Sequence, residues 1–176
     1  KLAEQVRAIK VGNGLEAGVA QGPLISQAAA NNAEALVNDA KDKGATVLCG
    51  GQRVDADANF FAPTILTDVN KDMRIASEEI FAPIAPIFKF ETDEEAIALA
   101  NDTEYGLAGY FYSRDIGRVW RIAEALEVGM VGVNTGMLTT EVAPFGGVKE
   151  SGMGREGSKY GIEEYVETKY ICLDIN

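Results

Sequence analysis

The chain has 176 residues, 47% hydrophobic and 24% charged, with a net charge of −11 and no histidine. That length allows one domain with a real core, or one domain plus an appendage, in an ordinary globular composition. The acidic balance disfavours nucleic-acid and anionic-membrane partners, which need a basic face. No run of about 18 apolar residues offers a membrane span, and no stretch reads as a signal peptide.

Lys1 to Lys10 places Leu2, Val6 and Ile9 on one helical face, with neither an initiator methionine nor an N-cap before it. A chain that starts in mid-element is expected to be a fragment. Residues 11–25 read as turn and loop, broken by Gly12, Gly14, Gly18, Gly22 and Pro23. Ala33, Leu36, Val37 and Ala40 predict an amphipathic helix over about 27–43, with Lys41, Lys43 and Gly44 suiting its C-terminus. Thr46–Cys49 is a short strand, in which Cys49 is expected to be a core residue. Residues 50–59 form a polar excursion, and 60–69 returns to extended structure, with Pro63 implying an edge or a bend.

From about 85 to 134 the order is strand, helix, strand, helix, strand. Residues 85–90 are extended and apolar. Thr92-Asp93-Glu94-Glu95 is a capping box opening a helix whose apolar face includes Ile97 and Ala100. Leu107–Tyr112 is a strand. Ser113 is expected to cap the next helix, with Ile116, Val119, Ala123 and Leu126 at helical spacing, and Gly129–Asn134 is a buried strand. This order predicts an α/β layered domain with parallel strands and helical crossovers. The stretch 143–161 is rich in glycine but also carries Pro144, Phe145, Val148 and Met153, so it is a loop of enforced shape rather than a flexible linker. Within it Gly152-Met-Gly154-Arg-Glu-Gly157 matches the dinucleotide fingerprint, yet no apolar strand precedes it, and the Rossmann reading is rejected. One helical turn is expected from Ser158 to about Ile162. Residues 164–173 then alternate as a strand with unpaired edges, to be paired within its own sheet or with another subunit. The organisation expected is a main domain over 1–148 and a glycine-rich loop with a terminal strand over 149–176.

One group of residues carries possible chemistry by itself. Glu78-Glu79-Ile80-Phe81-Ala82-Pro83 reads either as a solvated helix end or as a place where one carboxylate accepts hydrogen bonds from ligand hydroxyls. Thr139 and Thr140 read by themselves as residues that cap or turn the loop, and Phe145 as core packing. Two cysteines, Cys49 and Cys172, make no disulfide framework. Without histidine no structural zinc site is expected, and the reducing cytoplasm is the expected compartment.

Pro-Phe-Gly-Gly-Val-Lys-x-Ser-Gly-x-Gly-Arg-Glu at 144–156 resembles the C-terminal signature of the NAD(P)-dependent aldehyde dehydrogenases. Gln21-Gly-Pro-Leu-Ile25, Asn59-Phe-Phe-Ala-Pro-Thr-Ile-Leu66, Glu78-Glu-Ile-Phe81 and Ala100-Asn-Asp-Thr-Glu-Tyr-Gly-Leu-Ala108 are similar to family wording, in family order. The wording at 134–145, 154–161 and 164–170 is nearest to the succinate-semialdehyde branch. The resemblance implies oxidation of an aldehyde through a thiohemiacetal on a cysteine, with hydride passing to NAD or NADP and a glutamate base activating water. It assigns Glu79 to the nicotinamide ribose, Phe81 to the nicotinamide, Thr139 to the substrate's distal carboxylate and Phe145 to the aldehyde tunnel. Where the family has a glycine after the phenylalanine, this chain has Ala82. The nucleophile, the base, the cofactor domain and the carboxylate-binding arginines are expected upstream, so no catalytic residue is assigned here and the chain alone is expected to be inactive. The implied partners are an aldehyde substrate and identical subunits joined through the terminal strand, as a homodimer or homotetramer. The alternatives are a general aliphatic or glutarate-semialdehyde dehydrogenase, and a non-enzymatic assembly or binding module that kept the fold.

Overall fold

A computed structural model describes residues 1–55 and 59–175; three residues of the polar excursion, 56–58, lie outside that description. The chain forms two compact units, Lys1–Lys89 and Phe90–Asn176, and each is described by itself.

In the first unit, α1 (Leu2–Arg7) is a short opening helix. The predicted amphipathic segment is α2 (Gln27–Asp42), N-capped by Ser26, whose hydroxyl accepts from the Ala29 amide at 3.2 Å. It ends as the lysines and glycine suggested. Gly44 has φ 102°, the Ala45 amide donates to the Ala40 carbonyl at 2.9 Å, and that of Gly44 donates to Lys41 at 3.0 Å. This paired closure satisfies carbonyls the helix leaves open.

Three strands follow: β1 (Thr46–Cys49), β2 (Thr64–Thr67) and β3 (Ile84–Pro86). β2 is central, antiparallel to β1 (Thr46 opposite Thr67, Val47 opposite Leu66) with a bulge before Cys49, and parallel to β3 (Thr64 opposite Ile84). Ile65 and Leu66 point to opposite faces and are both buried, so β2 is covered on both sides. Pro63 therefore marks no edge strand. It stands just before β2, where its missing N–H removes no ladder bond. The core gathers Ala33, Leu36, Val37 and Ala40 of α2 against Phe61, Leu66, Val69, Met73 and Ile75. Cys49 is only half-buried, on β1 rather than among these core residues.

In the second unit, α3 (Asp93–Asn101) is N-capped by Thr92, which accepts from Glu95 N at 3.1 Å. The Glu95 carboxylate returns to the amide of Glu91, one residue earlier than a strict capping box requires. β5 (Ala108–Phe111) and β6 (Met130–Val133) are parallel neighbours joined through α4 (Ile116–Ala125). The two-residue strands β4 (Tyr105–Gly106) and β7 (Val148–Lys149) pair antiparallel. Asp115, not Ser113, caps α4, accepting from Arg118 N at 2.8 Å; Ser113 sits outside the helix and accepts from Asp115 N. Ile116, at the first helical position, is exposed instead of joining the inward face of Val119, Ala123 and Leu126.

One sequence-based expectation changes, and one alternative closes. The strand near 85 belongs to the first unit, where it pairs with β2, so the β-α-β-α-β run is not one parallel sheet. The fold is mixed α/β, with parallel and antiparallel pairs in three small sheets. Of the two pairings open to the terminal segment, the one within its own chain is absent among the described residues. A 3-10 turn at Gly161–Tyr165, a little beyond the turn expected at 158–162, leads into 166–175, which pairs with no described residue as a ladder and exposes Tyr170, Ile171 and Leu173. A strand exists only with a hydrogen-bonded neighbour, and the described chain supplies none. Among the described residues no helix is long and apolar enough to cross a membrane.

Phe61 is fully buried, whereas Ile25 is 95% exposed. In urea unfolding, Phe61→Ala is expected to cost about 3–5 kcal/mol, while Ile25→Ala should stay within about 0.5 kcal/mol of the parent.

Candidate functional site

The first unit presents Glu79 and Phe81 from an irregular segment anchored at both ends. Upstream, Met73 and Ile75 are buried. The Arg74 amide donates to Asp39 Oδ2 of α2 at 2.8 Å, and Lys43 bridges Asp39 at 2.9 Å and the Asp72 carbonyl at 2.7 Å. Downstream, the Pro83 carbonyl accepts from Thr64 N of the central strand at 2.8 Å. Between these anchors Ile80 and Ala82 pack against the core, so the alternating neighbours Glu79 and Phe81 face outward. Phe81 is 79% exposed. Glu79 is exposed and makes no hydrogen bond or ion pair with the described residues.

Glu78 differs sharply from its neighbour. Arg74 Nε and Nη2 donate to its two oxygens at 2.6 and 2.8 Å. The Arg74 hydrogen bonds, then its charge, hold the Glu78 carboxyl below the usual glutamate range. Asp39 is likewise lowered, first by its bond to Lys43 and then by the Arg74 amide.

The second unit carries Thr139 and Phe145 on the chain that leaves β6. Asn134 ends that strand with φ 56° and exchanges two bonds with Ser113, accepting from its N at 2.9 Å and donating to its O at 2.7 Å. Thr139 is exposed and its hydroxyl has no partner among the described residues, so it caps no turn. Phe145 is half-buried and exchanges both backbone bonds with Glu156, at 2.9 and 2.7 Å, folding 145–156 into a closed loop.

That loop depends on close backbone approach. A Cβ on Gly129 would lie 2.0 Å from the Gly146 carbonyl, and one on Gly146 would lie 2.6 Å from that of Gly154, distances no side chain tolerates. Arg155 Nη1 closes the loop by donating to Gly147 O and Gly154 O, both at 2.7 Å. Lys149 ties it outward to the carbonyls of Asn101 and Thr103 at 3.0 and 3.1 Å and to Glu127. The result is a cleft of about 350 Å³ lined by Leu107, Phe145, Ser151, Arg155 and Glu164. Gly152, Gly154 and Gly157 all have positive φ. Their run starts after a two-residue strand and opens into turns, unlike the strand-to-helix entry of a dinucleotide fingerprint.

Cys49 is half-buried on β1 and Cys172 is exposed. Among the described residues no cluster of carboxylates and thiols could hold a metal ion. Sequence reasoning missed Arg74, Arg155 and Lys149. Arg74 had a readable signal, the i, i+4 spacing to Glu78. The other two stand at named positions of the glycine-rich signature, but their bonds, mainly to backbone carbonyls, are not read from that wording.

The aldehyde dehydrogenase family model matches residues 1–171. The chain is 56% identical over 173 residues to a 3-sulfolactaldehyde dehydrogenase of Pseudomonas putida, covering 98% of this chain and 36% of that protein. It is 57% identical over 175 residues to a glutarate-semialdehyde dehydrogenase of the same species, covering 99% and 36%. The crystal structure of a succinate-semialdehyde dehydrogenase from Burkholderia pseudomallei superimposes with a TM-score of 0.95 at 58% identity, over 98% of this chain and 36% of that one. The chain thus spans about a third of the length of these relatives.

The lowered carboxyls of Asp39 and Glu78 set the sign of the acid response. A depressed folded value adds stability above the unfolded value, roughly 4, and loses it as pH falls through the lowered one. The Asp39–Arg74–Glu78 anchor is therefore expected to hold from neutral pH down to the ordinary carboxylate range and to loosen only below it. A carboxyl NMR titration of Glu78 with a midpoint at or above the ordinary glutamate value would remove the ion pair from this account.

Proposed function

This chain belongs to the aldehyde dehydrogenase family, and we propose that it forms the C-terminal part of an NAD(P)-dependent enzyme that oxidises succinate semialdehyde to succinate. The observation that carries the reading is the presentation of Glu79 and Phe81. With Ile80 and Ala82 held by the core, a carboxylate without a partner and a largely exposed ring are left with no structural duty. A free carboxylate suits the paired hydroxyls of a ribose, and an exposed ring suits the flat face of a nicotinamide. The residues present therefore fit a nicotinamide dinucleotide, whose nicotinamide, when bound, supplies a two-electron hydride acceptor.

On the substrate side, the free Thr139 hydroxyl donates to the distal carboxylate of the semialdehyde, and Phe145 walls the aldehyde's path and keeps bulk water from it. Thr139 lies in the branch-specific wording at 134–145. The nucleophilic cysteine and the general-base glutamate come from outside this chain, so the isolated chain does not turn over. In the second unit, among the described residues, only glycines are fully buried between 90 and 175: Gly106, Gly132 and Gly147. A unit with so little core of its own is suited to being covered by more protein. The segment 166–175, without a ladder here, supplies a strand to an identical subunit in a homodimer or homotetramer. The cytoplasm remains the proposed compartment.

The runner-up substrate is glutarate semialdehyde, favoured by the 57% identity to the P. putida enzyme of that name. Succinate semialdehyde, glutarate semialdehyde and sulfolactaldehyde all carry an anionic group away from the aldehyde, the feature that a Thr139 hydroxyl would recognise in each.

In the full-length protein, Glu79→Gln is expected to weaken NAD(P)H binding about 10-fold, read by nucleotide fluorescence, with the aldehyde KM little changed. Unchanged binding would remove Glu79 from the cofactor site. Thr139→Ala should raise KM for succinate semialdehyde about 3–10-fold at nearly constant kcat, and leave KM for an uncharged aldehyde of similar length alone. Equal KM changes for both aldehydes would assign Thr139 to loop structure. A wild-type enzyme with little preference between the two aldehydes would sink the anionic substrate class.

A further inference from the structure

In the first unit, residues 11–21 form a loop with a closed base and an open tip. At the base Val11 and Gln21 bridge in parallel, the Gly12 amide donates to the Gln21 carbonyl at 3.0 Å, and that of Ala20 donates to Lys10 at 2.9 Å. At the tip Asn13 to Ala17 are all exposed. Asn13 is the only asparagine of the sequence that is followed by glycine. Its Oδ1 accepts from the Leu15 amide at 3.0 Å, and its carbonyl accepts from the Glu16 amide at 2.9 Å. Such a turn folds the asparagine side chain over the next peptide, which brings its amide carbon back toward the Gly14 nitrogen. Beyond its chain neighbours nothing lies within 4 Å of a Cβ built on Gly14. The Gly14 amide has no hydrogen-bond partner among the described residues.

We propose that Asn13 is a modification site, where the Gly14 nitrogen closes on the Asn13 side chain and converts it to aspartate and isoaspartate. The Gly14 N–H gives its proton to solvent base, and the nitrogen attacks Cγ. One C–N bond forms while the Cγ–Nδ2 bond breaks, and ammonia leaves. Water then opens the five-membered imide at either carbonyl. One opening yields aspartate, and the other yields isoaspartate, with the main chain routed through Cγ. Nothing is oxidised or reduced, and water is the only co-reactant. Negative charge develops on Oδ1 as the nitrogen attacks, where the Leu15 amide already donates. Glycine admits the attack because no Cβ stands beside the nucleophile. Asn70 is the internal control. Its Oδ1 accepts from the Asp72 amide at 3.0 Å in the same kind of turn, but Lys71 stands where Asn13 has Gly14. Each conversion adds one negative charge at the loop tip, in the turn that also carries Glu16, the partner of Lys10. The proposal stands apart from the readings of Glu79 and Thr139.

The full-length protein, held folded in mildly alkaline buffer, is to be sampled over time by peptide mapping with mass detection. The peptide carrying Asn13 is expected to gain the mass of an asparagine-to-aspartate change and to split into two products, with isoaspartate in excess. It should convert at least about 10-fold faster than the peptide carrying Asn70. Gly14→Ala is accommodated, because Gly14 has no positive φ and open space beside it, and is expected to slow the conversion about 10-fold. The proposal is overturned if Asn13 stays intact in the folded protein while the same protein unfolded in guanidinium converts, since the fold then blocks the attack. It is also overturned by equal rates at Asn13 and Asn70, or by an unchanged rate in Gly14→Ala. Aspartate without isoaspartate would mean direct hydrolysis of the side chain and would overturn it too.

Discussion

The packing of α2 on the central strand β2 is the constraint on which the first unit depends. Leu36, Val37 and Ala40 meet Phe61 and Leu66 in a core that excludes water completely. Burial of this kind is the main favourable term in folding, and it scales with the apolar area removed from water. Everything that presents Glu79 and Phe81 follows from it. Met73 and Ile75 extend the same core on one side of the segment, Ile80 and Ala82 reach back to it, and β3 pairs with β2 just beyond. The outward direction of a carboxylate and a ring is thus a by-product of the inward direction of their neighbours.

The second unit is held by different physics. Its apolar side chains are at most half-buried, and its closest approaches are backbone against backbone: Gly129 on Gly146, and Gly146 on Gly154. Such contacts are specific because a single Cβ forbids them. Polar side chains then fix the loop by satisfying carbonyls that no regular element satisfies, Arg155 from within and Lys149 from outside. The cleft beside Phe145 thus combines a main-chain frame at Gly146, Gly147 and Gly154 with the side chains of Phe145, Arg155 and Glu164.

Charge has a local role in a chain of net charge −11. The few cations are spent on segment ends: Arg74 on Glu78, Lys43 on Asp39, Arg118 on Asp93 and Lys149 on Glu127. Arg118 on Asp93 joins α4 to α3, Lys43 on Asp39 closes the end of α2, and the other two tie an element to the neighbouring loop. Exposed pairs contribute little stability individually, but they choose which conformation a loop adopts. At Glu78 and Glu79 that choice separates two adjacent carboxylates into one engaged and one free.

By itself the sequence determined whatever depends on local periodicity and on residue-specific backbone preference. The apolar spacing of Ala33, Leu36, Val37 and Ala40 marked α2 within a residue, and Gly44 marked its end. Thr46–Cys49 and the strands near 108 and 130 were legible as short apolar runs, and the glycine-rich wording from 143 carried the family. The tertiary structure decided what depends on partners distant in the chain. It placed the strand near 85 beside β2, because a strand's allegiance is set by the neighbour that completes its ladder. Among the described residues it gave 166–175 no strand ladder despite the alternating pattern, because alternation shows that a segment can be a strand but not where its ladder forms. It moved the α4 cap from Ser113 to Asp115, since both residues can cap and only the path of the chain selects one. It also separated Glu78 from Glu79: the i, i+4 spacing to Arg74 was legible, but only the fold showed that the pair forms and that Glu79 faces outward.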